Sequence, residues 1–166
     1  MNTNELKSLQ VPLKEKYREN PDSALVTLKT QCNLGKNISC KIETGKALIE
    51  AGLHPATGGT GLLACSGDML LDALVACTGV TLSAVATAIG IENIKGVVKA
   101  EGDIDFRGTL GISKDVPVGF KAIRLYFKID SIVTEEQIGT LLKLTERYCV
   151  VYQTLIKGVE ISTSFH

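Results

Sequence analysis

From Ala73 to Ile89 the chain carries no charged side chain. This run is slightly short of the roughly 20 residues a membrane span takes. It also includes Thr78, Thr81, Ser83 and Thr87, so a core helix is the better reading. Ser66 offers an N-cap, Asp68 suits the first turn, and Gly90 can stop the helix in a left-handed conformation. Together they predict a helix from Ser66 to about Ile89. Leu70, Leu71, Leu74, Cys77, Val80, Thr81, Ala84, Val85 and Ala88 occupy broad apolar sides. A helix apolar nearly all round has to be surrounded by protein. A chain of 166 residues has difficulty covering one on every side. Ala73, Ala76, Gly79, Ser83 and Ala84 would let a second helix approach closely, and a symmetric dimer would solve the problem.

The remaining sequence supplies strands and two further helices. Leu6, Leu9 and Leu13 repeat at helical spacing over Glu5 to Asn20, with an interruption expected near Pro12 and a stop at Asn20 before Pro21. "SALVTLKTQC" and "ISCKIETG" alternate apolar and polar residues about the turn "NLGKN" and read as a hairpin. Ala47 to Ala51 fits a helical turn or a third strand. "HPATGGTG" is a loop by its Gly and Pro content, one that must pass close to another backbone. It lacks the Lys and spacing of a phosphate-binding loop. "GVVKAEGDIDFRG" and "GFKAIRLYFKIDS" read as two more strands. Thr134 and Gln137 have capping-box spacing, with Glu135 and Glu136 in the first turn. They open a helix expected to run to about Lys157 and stop at Gly158. Ile138, Leu141, Leu142, Thr145, Cys149, Tyr152 and Ile156 share its apolar face. "VEISTSF" reads as a last strand. Helices and strands do not alternate singly, which favours α+β over a doubly wound parallel sheet.

Composition narrows the function classes. Eighteen basic and eighteen acidic residues cancel, so no basic field points to nucleic acid or an anionic membrane surface. The polar N-terminus lacks a signal peptide's apolar segment, and a cytoplasmic setting is the expectation. An odd count of five cysteines fits reduced thiols better than a disulfide framework. There is no C-x-x-C pair, and only His54 and His166 are available as imidazole ligands. No G-x-S-x-G elbow supports a serine hydrolase. The "NIS" at Asn37 fits a glycosylation pattern that the expected compartment would leave unused.

Two thiols remain to be explained. Cys77 lies within the uncharged helix and Cys149 on the apolar face of the later one. They are small core residues, or helix packing brings them together as a redox pair. The second reading needs Cα atoms within about 7 Å and sulfurs near about 5 Å. It also needs something that favours a thiolate, usually a nearby Arg, Lys or His.

"GDMLLDALVACTGVTLSAVA", followed later by "ERYCVVYQTLIKGVEI", resembles the OsmC/Ohr family of osmotically inducible protein C and organic hydroperoxide resistance proteins. The resemblance covers Ala24 to Phe165 and includes the Gly-rich approach "HPATGGTG". It implies a helical extension at residues 1–22 and an OsmC-like domain at 23–166. The implied fold is α+β: two long central helices between antiparallel sheets, in an intertwined homodimer with its sites at the subunit interface. By resemblance, Cys77 is the peroxidatic thiolate that reduces an organic hydroperoxide to an alcohol. Cys149 is the resolving thiol, and an external dithiol of lipoyl type is the reductant. No metal or prosthetic group is implied. The apolar surroundings of Cys77 would favour an organic substrate.

Three departures bear on this chemistry. Gly67 stands where the family's peroxidases carry a Glu that orients an Arg, and neighbouring Asp68 is about half a helical turn out of phase with Cys77. The early hairpin has Lys29, Lys36 and Lys41 but no Arg, which leaves Arg18 of the extension as a candidate cation. Val150 stands where proline is usual. Cys32, Cys40 and Cys65 receive no role, and Cys65, just before the helix, reads as inert. The alternative expectation is an OsmC-fold protein with little or no peroxidase activity that binds an apolar small molecule at the dimer interface. A purely structural dimer module would leave both thiols as core.

Overall fold

The computed structural model describes residues 2–20, 32–34, 39–43, 48–92, 94–111 and 113–165. Most of the proposed strand "SALVTLKTQC" therefore lies outside the described residues. The elements are α1 (Thr3–Glu19), β1 (Cys32–Leu34), β2 (Ser39–Glu43), β3 (Leu48–Gly52), β4 (Ala64–Cys65), α2 (Ser66–Ala88), β5 (Gly96–Ile104), α3 (Phe106–Thr109), β6 (Phe120–Ile129), α4 (Glu135–Tyr148) and α5 (Val150–Lys157). Mixed helices and small sheets make this α+β, as the ordering of sequence patterns predicts. The chain forms two compact units. One gathers Met1–Glu19, Ala73–Lys99 and Tyr126–His166; the other gathers Asn20–Asp72 and Ala100–Leu125.

In the second unit, β1, β2, β3 and β4 form one sheet in that order. The first three are antiparallel neighbours, with Cys32 opposite Ile42 and Cys40 opposite Ala51. The ambiguous Ala47–Ala51 segment is thus a strand over its described residues, from Leu48 onward. β4, too short to read from sequence, pairs in parallel with β3 through Ala51–Ala64 and Gly52–Cys65. Between them, a single 3-10 turn at Pro55–Thr57 is capped by His54, whose Nδ1 accepts from the Ala56 N–H at 3.0 Å. The close approach at Gly59 is to the loop's own start rather than to another segment: a Cβ there would lie 1.7 Å from the Leu53 carbonyl oxygen.

In the first unit, α2 buries Leu74, Thr78, Leu82, Val85 and Ala86. Leu82, Val85 and Ala86 form a core with Leu141 of α4, and Ile94, Val98, Phe127 and Leu144 pack around it. Full burial of each large aliphatic side chain stabilises by about 1.5–3 kcal/mol. Gly90, at φ +87°, ends the helix as predicted. The Ile91 N–H bonds the Ala86 carbonyl and the Gly90 N–H bonds that of Thr87, which is a Schellman closure. The helix is long and apolar enough to cross a membrane by length and composition, and one stripe of it is buried against the chain's own core. The expected burial on every side is not reached, since Val80 is 72% exposed.

Three further expectations need correction. α1 runs unbroken through Pro12. A proline forfeits its own N–H bond and crowds one carbonyl, and here both Pro12 and Ser8 lie on an exposed side where water can serve. The terminus of the β5 pattern folds instead into α3, capped by Asp105 through the Arg107 N–H. Finally, Gly158–Phe165 forms no strand. Its alternating residues stay open, with Ile161 81% and Phe165 100% exposed. Alternation can mark a strand but cannot supply the neighbouring edge its backbone must bond.

Candidate active site

Cys77 and Cys149 are brought together by α2, α4 and α5, all within the first unit over the residues concerned. The Thr134 capping box fixes the start of α4: Thr134 Oγ1 accepts from the Gln137 N–H at 3.2 Å, and Gln137 Oε1 accepts from the Thr134 N–H at 2.8 Å. Leu141, Thr145 and Cys149 then follow at one-turn intervals, and all three are fully or nearly fully buried. On the facing helix, Leu74 and Thr78 do the same. The two stripes meet where Thr78 Oγ1 lies 3.6 Å from Cys149 Sγ.

The predicted single helix from Thr134 to Lys157 is broken here. Cys149 adopts φ −73°, ψ 111°, ending α4 and capping α5. Its N–H still reaches the Thr145 carbonyl, and its own carbonyl accepts from the Gln153 N–H, both at 2.9 Å. The spacing of apolar residues therefore continues across the break and hides it in the sequence. The break releases the N–H groups of Val150 and Val151 from the carbonyls one turn before. The Glu146 carbonyl, which a continuous helix would give to Val150, accepts from Gln153 Nε2 at 2.8 Å instead.

The released N–H groups point at Cys77. Burial pushes the Cys77 thiol up, but hydrogen bonds from the Val151 N–H, the Cys149 thiol, the Val150 N–H and the Thr81 side chain outweigh it. The thiol is held below its ordinary value. The physical cause is the N-terminus of α5, where unpaired N–H groups carry partial positive charge. Sequence reasoning looked for a side-chain cation. Backbone donors fill that role here, and no residue pattern signals them, because the helix start at Val150 is visible only in the structure. The side chain of Arg18 lies outside the described ones. Cys77 is half-buried and Cys149 is fully buried, and both are free thiols. A partly open thiol held toward ionisation, with a closed thiol as its hydrogen-bond donor, can attack a small electrophile and then pass on the bond.

Other sequence candidates sit elsewhere. Cys65, half-buried, belongs to the second unit, where it lines a cavity of about 330 Å³ with His54, Asp68, Phe106 and Phe120. His54 stacks on Phe106 with ring centroids 4.8 Å apart. Gly67 lines the same cavity: a Cβ there would lie 3.4 Å from Ile104 and 3.6 Å from the Cys65 sulfur. Cys32 and Cys40 are placed only by strand register, and His166 lies outside the described residues. Among the described residues, no group of three His, Cys, Asp or Glu side chains could hold a metal ion. In the first unit, Val75, Gly79, Leu82, Ile94 and Val98 line a largely apolar cavity of about 320 Å³.

This architecture has solved counterparts. The chain is similar in fold to an OsmC like protein from Mycoplasma pneumoniae, with 20% identity, a TM-score of 0.65, and coverage of 81% of this chain and 89% of that one. An organic hydroperoxide resistance protein OsmC from Legionella pneumophila matches at 18% identity and TM-score 0.62, over 81% of this chain and 91% of that one. An organic hydroperoxide resistance protein from Elizabethkingia anophelis matches at 19% and 0.63, over 82% and 92%. No curated protein matches the chain. The family model for OsmC-like protein matches residues 59–164, a span that contains both thiols and both long helical segments. The chain belongs to the OsmC-like protein family.

Proposed function

We propose that this chain is a thiol-dependent reductase of organic hydroperoxides, with Cys77 the peroxidatic and Cys149 the resolving residue. One observation carries the reading: the Cys77 thiol, lowered toward its ionised form, accepts hydrogen bonds from the start of α5 and from Cys149. The family and the names of its solved relatives support it. Cys77 thiolate attacks one oxygen of the O–O bond; that bond breaks, and the alkoxide leaves and takes a proton as the alcohol. Cys77 becomes a sulfenic acid. The Cys149 sulfur then attacks the Cys77 sulfur. The S–S bond forms, and hydroxide leaves with the Cys149 proton as water. An external dithiol returns two electrons by exchange and is itself oxidised to a disulfide. The reaction needs no metal or prosthetic group, and a reducing, cytoplasmic setting would keep the thiols poised.

The proposed assembly is a homodimer. Val80 on α2, with Ile161 and Phe165 in the terminal segment, leaves apolar surface open in a single chain, and a second copy would cover it. A second reading has its own support. The apolar cavity lined by Val75, Leu82, Ile94 and Val98, with Gly67 where the peroxidases carry Glu, fits a binder of an apolar small molecule.

Intact-mass spectrometry before and after one equivalent of an alkyl hydroperoxide separates them. The wild type should lose two hydrogens, and Cys149→Ser should gain one oxygen. Equal hydroperoxide consumption by wild type and Cys77→Ser would rule for the binding protein.

A further inference from the structure

The thiol pair leaves one buried hydroxyl in contact with a reacting sulfur and without a role. Thr78 is 1% exposed, Cys149 is 0% exposed, and Thr78 Oγ1 lies 3.6 Å from Cys149 Sγ. Distance alone allows either atom to donate. The proton inventory decides. A thiol has one proton, and when Cys77 is ionised that of Cys149 is turned to the Cys77 sulfur, the contact that helps hold the Cys77 thiol down. The Thr78 hydroxyl must then be the donor. A directed chain results: Thr78 O–H to Cys149 sulfur, Cys149 S–H to Cys77 sulfur.

We propose that Thr78 is the positioning residue of the resolving thiol, donating to Cys149 Sγ and so aiming the Cys149 proton and sulfur at Cys77. This deepens the peroxidase reading above and rests on it for its catalytic meaning. Its consequence falls on the second step. Once Cys77 is a sulfenic acid, Cys149 must give up its proton as its sulfur bonds to Cys77, and hydroxide must leave with that proton as water. The Cys149 sulfur is fully buried, so any donor to it as its proton leaves comes from the protein. Among the described residues, the Thr78 O–H is the hydroxyl hydrogen-bonded to Cys149, and it can hold the sulfur as charge develops. Thr145, one turn earlier on α4, has a buried hydroxyl without a hydrogen-bond partner among the described residues, so it is not already serving Cys149.

The test uses a readout independent of peroxide chemistry. In the full-length Cys77→Ala protein, thiolate absorbance is titrated and the Cys77→Ala/Cys149→Ala protein is subtracted, which isolates Cys149. Adding Thr78→Val, which keeps the shape and deletes the hydroxyl, should cut the Cys149 thiolate fraction about tenfold at a given pH. That is the effect of one hydrogen bond to a charged group. Thr78→Ser should restore it, and Thr78→Ala should repeat the loss if the valine variant does not fold. In the Cys77-containing protein, the ratio of disulfide closure to sulfenic acid formation should fall by a similar factor. Identical Cys149 titrations in the valine, serine and parent proteins would overturn the proposal. A protein that consumes no hydroperoxide would instead sink the peroxidase reading, and the titration would still decide the role of Thr78.

Discussion

Val150→Pro removes one of the backbone donors at the Cys77 sulfur while leaving the local fold intact. Proline is favoured at the first position of a helix. It requires the preceding residue to stay out of helical space, and Cys149 already does so at ψ 111°. Ordering by size, burial raises the Cys77 thiol, while the Val151 N–H, the Cys149 thiol, the Val150 N–H and Thr81 lower it. The substitution deletes the third of these four donors. A hydrogen bond to a charged group is worth about 1.5–3 kcal/mol, and the low end applies because the half-buried sulfur is partly screened by water. The thiolate fraction below the thiol's pKa should therefore fall about tenfold. The assay is the rate of Cys77 alkylation by iodoacetamide against pH, followed on its peptide by mass spectrometry, with Val150→Ala as the control that keeps the N–H. Stability should follow the same sign. A thiol whose folded pKa lies below its unfolded one stabilises the fold above the unfolded value, and loses that contribution as pH falls through the folded one. Val150→Pro should thus cost stability in alkaline solution and little in acid. An alkylation profile that overlays the wild type, or moves to lower pH, would refute the assignment of backbone donors to Cys77.

Two other substitutions probe the same frame. Gln153→Ala leaves the Glu146 carbonyl to recapture the Val150 N–H; Cys77 alkylation near neutral pH should slow by up to about the same tenfold as in Val150→Pro, since the same donor to the thiolate is lost, and an unchanged rate would mean the break holds without Gln153. Thr145→Val removes a buried hydroxyl that has no hydrogen-bond partner among the described residues, so urea denaturation should show a gain of about 1 kcal/mol with an unchanged slope, whereas a loss would reveal a partner for that hydroxyl.

What could be read from the chain alone was whatever depends on neighbours in sequence. The uncharged run, Gly90 and the Thr134–Gln137 pair located both long helical segments, because caps and apolar periodicity are local. The order of Cys77 and Cys149 within those segments carried the family resemblance. What the tertiary structure decided was the use of backbone. The apolar spacing through Leu141, Thr145, Cys149 and Tyr152 survives a break at Cys149 unchanged, so no pattern could show that Val150 and Val151 turn their N–H groups to a sulfur on another helix. The two-residue strand β4 exists only because β3 offers an edge. The alternation from Val159 to Phe165 finds no such edge within the described chain and stays open. Side-chain periodicity is written in the sequence, while the partner of each unpaired backbone group is set by what folding places beside it.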